Sequence, residues 1–481
     1  MDVKIYLLDP FLLLCLDYPV ICFVRVAVVV NIGGSQMKHF QQQDFTQRIG
    51  NRELRRFLFP FFLSAGFQCV YSMVNTAVVS RYLSQDAVAL TGACSGCVSV
   101  IHSMFPAFVS GFGVRLSRCI GSGEPEEIRQ GFWSAAYMTL AIGILCLLFA
   151  MFPEIILRKA NVPEAMLLGA ASYFRVILLG AGILYVKLIL ISTIQGMGNS
   201  VVPAALSMAG VVVQTFLAVF MIAGLHMGIT ASAFAMLVNN LWQVLVLAWF
   251  LFMLSGGRIS FVSPLYIQKA HYLDTLANGC SKGLMFLFLS MGSFFMQRME
   301  NRLFTELLAG DAYCDQYTSL FTELLSVYGT AAVVIVGQNA GRGNYRLIHE
   351  YVCRLYRRSL AVFLLIAVLS LAFAPVLIRG IAGDGASREA IQAGILQMRI
   401  IVISYPLLTA LVMLRYSLQA MGDYRAMPLF GFVEMAVNIG MARMIPRMGY
   451  MAVCLGLALG RIAAGSAAVI RYRWFLRQKR L

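Results

Sequence analysis

The sequence predicts an all-α integral membrane protein: twelve transmembrane helices in two six-helix lobes, related by a pseudo-two-fold axis along the membrane normal. Three observations predict it. Of 481 residues, 60% are hydrophobic and only 12% charged, which leaves too little polar surface for a soluble globule of this size. Apolar runs of the length that spans a bilayer, about 20 residues, recur twelve times. Short landmarks in the first half recur in the second at a nearly constant offset, the mark of a duplicated unit.

The apolar runs lie near 56–80, 88–113, 131–152, 167–192, 201–223 and 228–254, then, after the polar gap SGGRISFVSPLYIQKAH, near 281–304, 315–337, 359–379, 388–414, 427–445 and 449–470. They divide the chain into an N-lobe at 37–254, a cytoplasmic linker at 255–280, a C-lobe at 281–470 and a basic tail at 471–481. Orientation follows from Lys and Arg, which are enriched in cytoplasmic loops. Arg48, Arg52, Arg55 and Arg56 precede span 1, Arg115, Arg118 and Arg129 flank the gap after span 2, and Arg342, Arg346, Arg354, Arg357 and Arg358 follow span 8. All fall on one side, so both termini are expected in the cytoplasm. Arg158 and Lys159 are exceptions.

Residues 1–36 fit this pattern poorly. Asp9, Asp17 and Arg25 would each cost about 2.5–3.5 kcal/mol in the hydrocarbon, and Pro10 and Pro19 interrupt the run. The stretch reads as a start-site artefact, with Met37 as the start; a thirteenth segment that spans or lies at the interface is the other reading.

Charge and cysteine usage exclude several functions. The net charge of +16 is spread over short loops rather than one face, so it reports topology and not a nucleic-acid partner. Of eleven cysteines, only Cys94 and Cys97 form a CxxC, inside an apolar helix with no second pair. Neither a redox site nor a metal is expected. There is no Walker motif, so an enzyme is not expected.

The repeat pairs Asp86 with Asp311, Gly121 and Gly123 with Gly341 and Gly343, Arg175 with Arg399, Gln195 with Gln419 and Gly198 with Gly422, at offsets of 220 to 225. Because six spans is an even number, both copies enter the membrane in the same direction, as in parallel transporter repeats. The loops SRCIGSGEPEEIRQG and GQNAGRGNYRLIHEY are then equivalent cytoplasmic turns. Their glycines permit φ > 0 and close chain approach; neither loop has the context of a phosphate-binding site. Arg175 and Arg399, near mid-span, read as scaffold residues, one per lobe. Two such bundles enclose a cleft that rocking would open to alternate sides.

These motifs carry a family resemblance. FTQRIGNRELRRFLFPFFLSAGFQCVYSMVNTAVVSRYLSQDAVALTGA resembles the first span of the multidrug and toxic-compound extrusion (MATE) transporters, with VNT where many members have Val-Asp-Thr. GQNAGRGNYR is similar to the family's loop after span 8, with Gly337, Asn339, Gly341, Gly343 and Asn344 in place, and IQGMGNSVVP and LQAMGDYRAMP resemble its turns before spans 5 and 11. The likeness covers about residues 45–475. It implies a monomeric, cofactor-free antiporter of the cell membrane that exports amphipathic, cationic small molecules against Na⁺ or H⁺.

Intramembrane ionisable residues are costly and so are candidates for coupling. Glu323, Glu434 and Glu300 lie inside apolar runs, with Gln297 one turn from Glu300. Glu300 is flanked by Arg298 and Arg302, so an ion pair is the other reading. Its repeat counterpart is Asn75, where proton-coupled members of the family carry Asp; an amide cannot titrate but can ligate a cation or bond substrate. Gln214, Asn239, Asn240 and Gln243 are candidate cavity lining, or polar contacts between helices. Two alternatives compete with efflux: a flippase for lipid-linked saccharides, which calls for a cationic cavity, and a transport-deficient relative acting as receptor or scaffold.

Overall fold

The computed structural model describes residues 43–479, apart from 83–89, 91–93, 95, 161, 226, 229, 257–258, 302, 304 and 383–385; in the first helix the side chains beyond residue 69 are also outside the described set. All regular structure among the described residues is helical. The long helices are α1 (Asn51–Tyr82), α2 (Phe105–Ser122), α3 (Pro125–Phe149), α4 (Glu164–Gly196), α5 (Val201–Val219), α6 (Thr230–Ser255), α7 (Lys269–Glu300), α8 (Thr305–Gly341), α9 (Tyr345–Ala382), α10 (Arg388–Val402), α11 (Tyr405–Ala420), α12 (Ala426–Ala442) and α13 (Tyr450–Gln478).

Nine segments among the described residues are long and apolar enough to cross a bilayer, and α10 with α11 makes a tenth, bent by 58° at its break. The expected run at 388–414 is thus one broken span, with Pro406 just past the bend, where its ring is tolerated at a helix start. The other two spans are α1, whose first turns carry Arg52, Glu53, Arg55 and Arg56, and α12, whose 17 residues fall short of a full crossing. Span 2 runs through Ser122, nine residues beyond its expected end at 113, and span 7 begins at Lys269 rather than 281. Much of the expected linker is therefore helix. Residues 1–36 lie outside the described residues.

The repeat is visible in backbone geometry. At the turn after α4, Met197, Gly198 and Asn199 donate to the carbonyls of Thr193, Gln195 and Ile194. After α11, Met421, Gly422 and Asp423 donate in the same pattern to Ser417, Gln419 and Leu418. Gly198 and Gly422 hold φ of 84° and 94°, a left-handed conformation that glycine adopts without penalty.

The chain separates into two compact units. One comprises residues 49–102 and 139–257 with the segment up to 43; the other comprises 44–48, 103–138 and 258–481. In the first, α1 packs on α5 and α4 on α6. In the second, α2 packs on α7 and α8, and α7 on α12. Residues 103–138 thus pack with the C-terminal helices, although the sequence places them in the N-lobe.

Glycine explains this packing. A Cβ on Gly111 would overlap the Asn278 carbonyl and the Gly279 Cα, and one on Gly121 would overlap the Gln338 backbone. A Cβ on Gly341 would in turn overlap the Arg118 carbonyl. Helix backbones approach this closely only where small residues meet. Gly123 and Gly343, two residues further on in each copy, take φ of 78° and 74° to end their helices. The polar residues beside Gly341 also have a task. Gln338 Oε1 accepts from the Phe45 N–H (2.9 Å), Asn339 Nδ2 donates to the Phe45 carbonyl (2.8 Å) and Tyr351 donates to the Gln47 carbonyl (2.8 Å), so the motif straps segment 44–48 onto α8 and α9.

Candidate functional site

The second unit gathers carboxylates around the C-terminal end of α7. Glu300, 5% exposed at the C-terminus of that helix, lies within electrostatic reach of Asp311 and Asp315, which stand one turn apart on α8. Asp311 accepts a hydrogen bond from Gln397 Nε2 on α10, and Gln397 Oε1 accepts from the Tyr450 hydroxyl of α13 at 3.1 Å. Four helices thus fix one acidic group. None of the three acids forms an ion pair among the described residues. The Arg298 alternative for Glu300 is not borne out, since Arg298 is exposed and unpaired there; Arg302 lies outside the described residues. Gln297 is exposed.

A second charged group surrounds Tyr416. Lys282 Nζ lies 5.2 Å and Arg415 Cζ 5.3 Å from its ring centre, at cation–π distance. Glu323 reaches Tyr416 electrostatically, and Glu434 lies in the fields of Arg461 and Arg415. Arg415 Nε and one terminal nitrogen of Arg461 have no hydrogen-bond partner. Glu434 is therefore a counter-charge within a mixed ionic cluster, whereas Glu323 forms no ion pair among the described residues.

In the first unit, three of the four predicted amides, Gln214, Asn239 and Gln243, bond to one another. Asn239 Nδ2 donates to Gln214 Oε1 at 2.9 Å, while Asn239 Oδ1 accepts from Trp242 Nε1 and Gln243 Nε2, both at 3.0 Å. This network joins α5 to α6. Asn240 does something different: its Oδ1 accepts from Lys187 Nζ of α4 at 2.5 Å. Asn75 lies on α1, but its side chain is outside the described residues, as is Asp86.

An ionic network fastens the C-terminal end of α2 to the N-terminal end of α7. Arg115, with a side chain only 7% exposed, donates from Nε to Asp274 Oδ2 at 2.5 Å and from its terminal nitrogens to His271 Nδ1, Ser134 and Thr275. Arg118 pairs with the same carboxylate at 3.4 Å, and the Tyr424 hydroxyl donates to Asp274 Oδ1. Burial pushes the Tyr424 phenol above its ordinary range, with the neighbouring carboxylate adding to the shift and Arg118 opposing it, so it remains a donor.

Sequence reasoning named Glu300, Glu323 and Glu434 but missed Asp311 as more than a repeat landmark, and missed Asp315, Lys187, Lys282, Arg415 and Arg461. The signal was present, since each is an ionisable residue in or beside an apolar run. Arg175 and Arg399 are both exposed, and neither forms an ion pair among the described residues.

Apolar helices long enough to cross a membrane, with a duplicated backbone turn and ionisable residues inside the spans, define a multi-pass membrane protein. The chain belongs to the MatE family, whose model matches residues 60–220 and 283–444. It is similar to the probable multidrug resistance proteins YoeA and YpnP of Bacillus subtilis. YoeA is 24% identical over 205 residues, which is 42% of this chain and 44% of that protein, and YpnP is 21% identical over 312 residues, 63% and 68%. The alignment with YoeA thus spans less than half of that relative's length.

Among solved structures, the fold matches an outward-facing multidrug resistance MATE family transporter of the MOP superfamily, with a TM-score of 0.82 at 16% identity over 93% of this chain and 99% of the other. It also matches a MOP superfamily transporter from Pyrococcus furiosus described as having a reversed polarity of its binding pocket, with a TM-score of 0.82 at 16% identity over 92% and 99%. The two matched segments of the family model, one in each half, coincide with the repeat.

Proposed function

We propose that this chain is a secondary antiporter that exports amphipathic small molecules from the cell in exchange for Na⁺ or H⁺, by alternating access between an N-lobe at 37–254 and a C-lobe at 281–470. The observation that carries this is the acidic group Glu300, Asp311 and Asp315, none of which forms an ion pair among the described residues, with Asp315 in the field of Arg461. Carboxylates grouped at a helix end in the membrane can each take a proton or share a cation, and the exchange changes local charge by a full unit. A membrane potential acts on that charge with about 2.3 kcal/mol per 100 mV. The tether from Asp311 through Gln397 to Tyr450 links the charge state of α8 to α13 and to α10, the first half of the span bent by 58°. We further propose that the protein acts as a monomer in the cell membrane, with both termini cytoplasmic, and needs no cofactor.

The expectation of cationic cargo rested on the family resemblance and on the acids. Lys187, Lys282, Arg415 and Arg461 also lie inside membrane-spanning helices, and they favour cargo with an anionic group; they also give the lipid-linked saccharide flippase its specific support. The test is gradient-driven transport of a dye in proteoliposomes. Uphill efflux of a free dye, set by Na⁺ or pH, supports the antiporter. Dye transport that ignores both gradients removes it.

A further inference from the structure

We propose that Lys187 and Asn240 form an anion-binding subsite, which takes the carboxylate or sulfonate of an amphipathic cargo molecule. The inference deepens the efflux reading and rests on it for the word cargo, but the site itself stands on the first unit alone.

Lys187 lies nine residues before the end of α4 at Gly196, about 13 Å from that end at the rise of a helix, inside an apolar span. An ammonium there is costly unless paired. No carboxylate pairs with it among the described residues: those described in its unit are Glu53, Glu154 and Glu164, all in the first turn of a helix, with Glu164 already bonded to Arg158 at 3.0 Å. The hydrogen bond that Lys187 does make goes to the neutral oxygen of Asn240.

Asn240 supplies the second observation. It is 2% exposed, and with Oδ1 turned to the ammonium its Nδ2 has no partner. A buried amide normally satisfies both ends, because an orphaned donor costs about 1–3 kcal/mol. Its orientation is also supported from the next residue, since Asn239 is locked by Gln214, Trp242 and Gln243. A Cβ on Gly210 would collide with Gln243 Nε2, so α5 is shaped to admit that lock. Lys187 remains half-buried rather than sealed, and its field reaches His102, a further nitrogen-bearing group, on the π-helical turn 100–104. An ammonium with spare N–H groups beside an unused amide N–H₂ offers donors and no acceptor; its complement is an anion with at least two oxygens.

The test uses the purified full-length chain and two dyes that differ in one group: tetramethylrhodamine with its free carboxylate, and its methyl ester. Equilibrium dialysis measures the affinity for each. The wild type is expected to prefer the acid by roughly tenfold or more, the value of a charge-assisted hydrogen bond. Lys187→Met should bring the ratio of acid to ester close to one, while Lys187→Arg keeps a preference. Asn240→Asp gives Lys187 an internal counter-ion, so it should lose the preference while its thermal unfolding midpoint stays level or rises; this variant remains informative if Lys187→Met misfolds. Equal affinity of the wild type for both dyes, no binding of the acid, or a preference that survives Asn240→Asp overturns the proposal. Gradient-driven efflux is measured separately: if it fails for both dyes while the binding preference holds, the antiporter reading falls and the subsite stands.

Discussion

Gly121 of α2 and Gly341 of α8, 220 positions apart and equivalent in the repeat, lie against each other's helix with no space for a Cβ: one would strike Gln338, the other Arg118. Duplicated residues thus form one crossing. Gly121→Ala and Gly341→Ala should each destabilise by about 1–3 kcal/mol, as overpacking does. Thermal unfolding in detergent reads this as a lowered midpoint. Gly380, which has open space around it, is the control, and Gly380→Ala should leave the midpoint unchanged or slightly raised.

The Asp274 network predicts a different signature. Asp274→Asn leaves the Arg115 guanidinium buried without its carboxylate, which costs about 3–5 kcal/mol where a buried pair is broken. Removing both partners, as in Asp274→Asn with Arg115→Met, should recover much of that loss. A double-mutant cycle of unfolding free energies checks the non-additivity. Additive losses would mean that the two side chains act separately.

Asn339 should matter through the strap rather than through transport chemistry. Asn339→Leu removes its bonds to the Phe45 and Ile335 carbonyls, each 2.8 Å, and should cost about 1–3 kcal/mol. Trypsin cleavage at Arg48, whose side chain is 74% exposed in its pair with Glu350, should become faster as segment 44–48 detaches. Unchanged cleavage would show that Glu350 and Tyr351 hold the strap without Asn339.

Much of this fold is legible in the sequence. Apolar length gives the spans, and the offset between Gly198 and Gly422 gives a repeat that reappears as identical turn hydrogen bonds and left-handed φ. Span ends were less legible, because α2 and α7 run past the hydrocarbon into polar sequence: Arg115, Arg118 and Asp274 read as loop charges but are helical residues bonded to one another. The pairing of 103–138 with the C-terminal helices was not legible, since it depends on which glycine faces which backbone. The site was half legible. Glu300 stands out as a charge in an apolar run, but its company of Asp311 and Asp315 arises from the turn joining α7 to α8. Lys187 was equally visible as a lone cation, and its meaning appears only with the orphaned Asn240 beside it.

The most direct test of the central claim is efflux of tetramethylrhodamine methyl ester from proteoliposomes under imposed Na⁺ or pH gradients, comparing wild type with Glu300→Gln and Asp311→Asn. The wild type should move dye against its gradient when one ion gradient is present. Both variants should keep their unfolding midpoints and lose at least about tenfold in driven rate, a barrier change of about 1.4 kcal/mol. Driven efflux that persists at full rate in both variants would contradict coupling through this acidic group.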